Sequence, residues 1–144
     1  MAFNSASQLA RVVTLLEGAT MVAAGLQDVV VGVPKSIDYK LVAFVTLGGQ
    51  QAQDQAGGLV YCDASIRVTF AYRTGGDVAT AETALANALD AFKTAFYAAR
   101  KTDAILRGMK LDLSIAGAPR YETVAGQEYR EWPLLLWGRQ EQNV

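Results

Sequence analysis

Apolar and polar positions along this chain change period several times, and each change marks a different element. Near the N-terminus Leu9, Val12, Val13 and Leu16 recur at three- and four-residue steps, the spacing of one helix face. Ser5 and Gln8 stand at capping-box spacing beside them, and Gly18 is a natural stop. From Ala19 to Gly32 the signal is mixed. Met21 to Leu26 would extend a helix, whereas Val29 to Val33 is a β-branched run closed by Pro34, so a short strand is expected there. Tyr39 to Leu47 is apolar in both phases at Leu41, Val42, Ala43, Phe44 and Val45, which suits a central strand covered on both faces.

The next segment has period two. Cys62, Ala64, Ile66, Val68, Phe70 and Tyr72 alternate with Tyr61, Asp63, Ser65, Arg67, Thr69 and Arg73, giving one apolar and one largely polar face. Thr74 to Asp77 breaks the strand with two glycines and offers Asp77 as N-cap of the longest helix. Ala81, Leu85, Ala88, Leu89, Phe92 and Phe96 form its core stripe, and Arg100 and Lys101 stand where a helix end favours positive charge. Two strands follow, Met109 to Ile115 and Tyr129 to Trp137. Pro133 cannot donate to a ladder, so the last strand is expected at an edge or locally irregular. These elements predict one domain over residues 1–144 in the α+β class, with a mixed or antiparallel β-sheet of about four to five strands packed against two helices.

Two connections stand apart from this pattern. Residues 48–58, GGQQAQDQAGG, contain no large apolar side chain, and residues 116–127, AGAPRYETVAGQ, join strands that a two-residue turn could have linked. Both are expected to be surface loops, and the second, with Pro119, Arg120 and Tyr121, favours ordering against a neighbouring subunit. Trp132 and Trp137 fall in opposite phases of the last strand, leaving one for the core and one for a partner. The expected subunit or ring interface is therefore Gln50, Gln51, Gln53, Asp54 and Gln55 together with Tyr121, Glu122, Thr123, Gln127, Tyr129 and Trp132.

Composition narrows the chemistry. The chain has no histidine and one cysteine, so His-based nucleophile pairs and zinc ligand sets are missing. Cys62 lies in the apolar phase of its strand and reads as a small core residue. Glu128 and Glu131, three apart on a strand, face opposite sides and do not form an acid/base pair. The paired glycines open no helix and precede no Lys-Ser or Lys-Thr, so they are turns and not phosphate loops. No catalytic residue, cofactor or metal site is expected. Thirteen basic and fourteen acidic residues give a net charge of -1, so charge announces no nucleic-acid partner. One basic cluster, Lys93, Arg100, Lys101, Arg107 and Lys110, reads as a helix end, with DNA phosphates or an acidic surface as the alternative. The first seven residues carry no signal-peptide pattern and no apolar run approaches the ~18 residues of a membrane span, so a soluble protein made in the cytoplasm and independent of membranes is expected.

Taken in order, Leu9 to Leu16, Pro34-Lys35-Ser36-Ile37, Val45-Thr46-Leu47-Gly48-Gly49-Gln50, Val68-Thr69-Phe70-Ala71-Tyr72, Ala81-Glu82 and Tyr129-Arg130-Glu131-Trp132-Pro133-Leu134 resemble the tail terminator proteins of long-tailed bacteriophages. The resemblance implies a virion protein of the tail and neck, made in the host cytoplasm. It would form a homo-oligomeric, hexameric ring that caps the tail tube protein, ends polymerisation and joins the tail to the head-tail connector. Viral DNA would pass through a central channel without specific binding. Another neck or tail-tube component is the nearest alternative. A small nucleic-acid-binding module and a small enzyme using Asp and Tyr residues are more distant ones.

Overall fold

The computed structural model describes residues 5–32, 40–54, 59–75, 77–113, 120–124 and 127–143. Four helices and a six-stranded mixed sheet follow in the order α1 (Ser5–Leu16), α2 (Ala19–Ala23), β1 (Asp28–Val31), β2 (Leu41–Asp54), β3 (Leu59–Arg73), α3 (Val78–Ala99), α4 (Ala104–Arg107), β4 (Met109–Asp112), β5 (Arg120–Val124) and β6 (Gln127–Asn143). The sheet runs β1-β2-β3-β6-β4, with β5 also paired to β6. Among the described residues only the β1–β2 pair is parallel. The α+β expectation holds, with one more strand and two more short helices than the sequence pattern announced.

Side-chain alternation divides the sheet into two buried faces. On one, Leu41, Ala43 and Val45 of β2, Ile66, Val68 and Phe70 of β3, and Leu134 and Leu136 of β6 meet Val12 and Leu16 of α1 and Leu85, Ala88, Leu89, Phe92 and Phe96 of α3. The predicted α3 stripe is buried at every position. Phe92 meets Phe70 edge-on at 5.9 Å between ring centroids and stacks on Phe96 at 6.2 Å. Burying a side chain of this kind contributes about 1.5–3 kcal/mol, so the helix stays on the sheet through this stripe.

The opposite face buries Val42, Phe44, Ala71 and Tyr129, with Val30 packed beside them. Residues 41–45 are therefore covered on both sides, as the two-phase apolar run requires. The face of β3 that looked largely polar is covered as well, since Ser65, Thr69 and Ala71 are buried.

Several expectations need correction. Residues 48–54 are not loop: β2 continues through them, paired with β3 as far as Asp54 opposite Val60. A bulge between Leu47 and Gln50 takes up the Gly48-Gly49 pair. A side chain at Gly48 would collide with the Ser65 hydroxyl, which donates to the Gly49 carbonyl at 3.0 Å. Residues 120–124 are likewise strand, forming a hairpin with the start of β6. The last strand begins at Gln127 and runs to Asn143, and its outer side is paired by β5 at 127–131 and by β4 at 135–138. Pro133 is tolerated because β5 pairs 127–131 and β4 pairs 135–138, so the proline stands at the gap between them.

At the N-terminus, Ser5 is already helical, and Gln8 is buried with Nε2 2.6 Å from where a Cβ on Gly138 would lie. Gln8 thus packs between α1 and β6. Gly18 precedes α2 as its N-cap, so the mixed segment resolves into a short helix and then a strand. The fourth strand ends at Asp112, short of Ile115, which lies outside the described residues with Ala116–Pro119 and Gln55. The side chain of Cys62 also lies outside them.

Asp77 caps α3 as expected, accepting from Thr80 Oγ1 at 2.6 Å and from Thr80 N at 3.1 Å. These bonds, the hydroxyl first, hold its carboxyl below the ordinary value of about 3.8. A carboxyl depressed in the folded state adds stability above its unfolded pKa and loses it as pH falls through the folded one. Denaturant unfolding should therefore show Asp77→Asn losing less stability than the parent between pH 5 and about 2; parallel pH profiles for the two proteins would contradict this role of the cap.

Candidate subunit interface

The long strands extend past the shorter strands that pair with them. β1 pairs only Val42–Val45 of β2, and β4 reaches only Gly138 of β6. Beyond those points β2, β3 and β6 continue as a three-stranded antiparallel ribbon, with Gln50 to Asp54 opposite Ala64 to Val60, and Arg139 to Asn143 opposite Asp63 to Leu59. Among the described residues no strand pairs the outer side of either flank. Gln50, Gln51, Gln53 and Asp54 all belong to this ribbon.

The second group of expected interface residues lies at the other end of the sheet. Tyr121, Glu122 and Thr123 on β5 stand opposite Arg130, Tyr129 and Glu128, and Gln127 opens β6 opposite Val124. Gln53 is level with Glu141 through Tyr61. From Tyr129 to Glu141 along β6 the two groups are on the order of 40 Å apart. The structure therefore does not bring them into one surface. Two members of the second group are inward: Tyr129 is fully buried in the second core, and Trp132 is half-buried against the first. Tyr129 has no surface to offer a neighbouring subunit. Trp137, in the opposite phase to Trp132, is also only half-buried, so the phase argument does not separate a core tryptophan from an exposed one.

Tyr121, 46% exposed, is held by a contact the sequence pattern did not single out. Arg130 Nε donates to Glu82 Oε1 at 2.5 Å, and its guanidinium lies 4.9 Å from the Tyr121 ring centroid. One arginine thus ties β5, β6 and the first turns of α3 together. The signal was present in residue phase alone: Arg130 shares the face of Trp132 and Leu134, the face that meets α3.

The basic cluster is engaged in ending α3. Arg100 Nη2 donates to the Arg107 carbonyl, while Arg107 Nε and Nη2 donate to the carbonyls of Arg100 and Lys101. Lys93 pairs with Asp90 at 3.1 Å. Lys101 and Lys110 are exposed. These contacts favour the helix-end reading of the cluster.

A cleft of about 460 Å³ opens between the helices, lined by Arg11, Thr14, Leu15, Ala95, Ala99 and Asp103 among others. Its charged residues are already paired, Arg11 Nε lying 3.5 Å from Asp103 Oδ2, and Asp103 also caps α4 through Ile105 N and Leu106 N. Glu128 is exposed and accepts from the Thr74 hydroxyl, whereas Glu131 is buried. Among the described residues no group of three acidic or cysteine side chains converges as metal ligands would, and no helix is long and apolar enough to cross a membrane. No protein-family model matches the chain, and no curated protein matches it.

Replacing Arg130 by alanine should destabilise the fold by about 1 kcal/mol, as for a partly exposed charged contact. The same change should raise amide exchange in β5 more than in β3. Uniform exchange changes across the sheet would contradict the anchoring role.

Proposed function

We infer that this protein is a ring-forming structural subunit that caps the end of a bacteriophage tail tube and joins the tail to the head connector. The observation that carries the reading is the three-stranded ribbon, neither flank of which is paired by a strand among the described residues. A single subunit that leaves both flanks of a regular sheet open presents two different surfaces, which is what a heterologous interface requires. Rotation by a fixed angle then closes a ring, and the tail-terminator resemblance supplies the hexamer and the place of that ring in the virion.

The ring acts mechanically in this account. One face imitates the surface of a tube subunit and binds the last tube ring, and the other offers nothing on which further tube subunits can add. Viral DNA passes through the centre without sequence-specific contact. The ring face has a candidate in the exposed Tyr121 held by Arg130, at the opposite end of the sheet from the ribbon. That separation allows ring closure and tube docking to use different surfaces of the same subunit.

Adding the protein to tail-tube subunits during polymerisation should shorten the tubes and leave it bound at one end, as seen by electron microscopy with a labelled chain. Tube lengths that do not respond to the protein at stoichiometric excess over tube ends would overturn the capping function. Deleting residues 51–55 is not a clean test, because Gln51 to Asp54 pair with β3 and their loss shortens the sheet itself.

A further inference from the structure

The direction of the backbone groups on the ribbon flanks follows from the ladder. Arg73 N donates to the Lys40 carbonyl across the β2–β3 side, and Thr74 N donates to the Glu128 carbonyl on the β6 side. Successive residues of a strand bond alternately to its two neighbours, so odd-numbered residues of β3 bond toward β2 and even-numbered ones toward β6. Ala52 stands opposite Cys62, and therefore turns its N–H and C=O away from β3. Glu141 stands opposite Tyr61 and does the same on the far flank. The carbonyls of Leu41 and Val45, outward in the same sense, are accepted positions for Gln27 N and Gly32 N, which shows the outer side of β2 in use where β1 covers it.

These flanks are matched. Residues 50–54 of β2, beyond the bulge, and residues 139–143 of β6 are equal in length. Both strands are antiparallel to β3, so they run in the same direction on opposite sides of one ribbon. Solitary edges are usually blunted by lysine, proline or charge. Between Thr46 and Gln53 there is neither a charged residue nor a proline, and the charges of the two flanks are Asp54 on β2 and the opposite-sign pair Arg139 and Glu141 on β6. Val31 and Leu47, 59% and 57% exposed, flank the start of that edge and leave apolar surface uncovered beside it.

We propose that residues 50–54 of β2 pair in parallel with residues 139–143 of β6 from a second copy of this chain, and that repetition of this junction closes the ring. The proposal rests on the ring reading above and names its joint. Rotation about an axis along the strands carries the β6 flank of one copy to the β2 flank of the next without reversing either strand. Pairing of two β2 flanks would instead be isologous, stopping at two copies with both β6 flanks still bare.

The test uses Ala52→Pro and Glu141→Pro in the full chain, read by native mass spectrometry with thermal melting as the control for folding. Each substitution removes an outward N–H and no hydrogen bond of the β2–β3 or β3–β6 ladders. Each variant alone should be monomeric. An equimolar mixture should give a heterodimer, because the intact β2 flank of Glu141→Pro meets the intact β6 flank of Ala52→Pro. Rings that persist in both variants overturn the junction while leaving tube capping untouched. A homodimer of Glu141→Pro overturns it in favour of β2 self-pairing, and a parent chain that never oligomerises overturns it outright. Conversely, the predicted heterodimer together with a parent that leaves tube growth unchanged would support the junction and refute the capping function. If either proline variant melts early, Gln53→Cys with Glu141→Cys in a Cys62→Ser background replaces it, because in a parallel ladder the outward-bonding Glu141 stands opposite a residue that bonds inward. Oxidation should then yield covalent oligomers, and monomer alone overturns the proposal.

Discussion

Two-sided pairing of β3 is the constraint on which the rest of this structure depends. All of its residues from Val60 to Tyr72 lie in register with β6, and nearly all also with β2. A strand bonded on both sides can bury both faces, and here it does so in the helix-covered half. Its apolar phase seats α3 through Phe70 and Phe92. Its other phase, with Ala71 against Val42, Phe44 and Tyr129, builds the second core. Once β3 is set in place, its two partners stay paired to it beyond the ends of β1 and β4, and the ribbon continues as their shared extension.

That extension is what makes a ring subunit a physically economical reading. In the body of the domain the sheet is flanked by β1 on one side and by β4 and β5 on the other. In the ribbon it is flanked by nothing described, and a regular backbone edge left in water is a template for another strand. The proposed ring would satisfy both edges with one repeated contact. Side-chain chemistry is not required for such a role, which accords with a chain that has no histidine. The Tyr121–Arg130–Glu82 cluster gives the far end of the sheet a partly exposed surface held by one arginine.

Much of the domain was legible in the sequence where apolar periodicity is strong. The α3 stripe, the Asp77 cap, the two-phase run at 41–45 and the inward phase of β3 at Ala64, Ile66, Val68 and Phe70 all carry burial directly in residue type. The ribbon was not legible, because Gly48, Gly49 and the glutamines that follow have low strand preference and no alternation. Their strand conformation comes from pairing with β3, a tertiary effect that overrides local propensity. The β5 hairpin was missed for a related reason: Arg120 to Val124 is short, and only its pairing with residues 127–131 distinguishes it from loop. Tyr129 was misjudged as interface because the second core that buries it draws on β2, β3 and β6 together. Pro133 marked an edge or a locally irregular position, and it stands where neither β5 nor β4 pairs the outer side of β6.

The most direct measurement is the solution mass of the purified protein by light scattering across a concentration series. A closed ring predicts one discrete mass, near six subunits, that does not grow with concentration once assembly is complete. A monomer at every concentration, or a mass that rises without limit, would contradict the account.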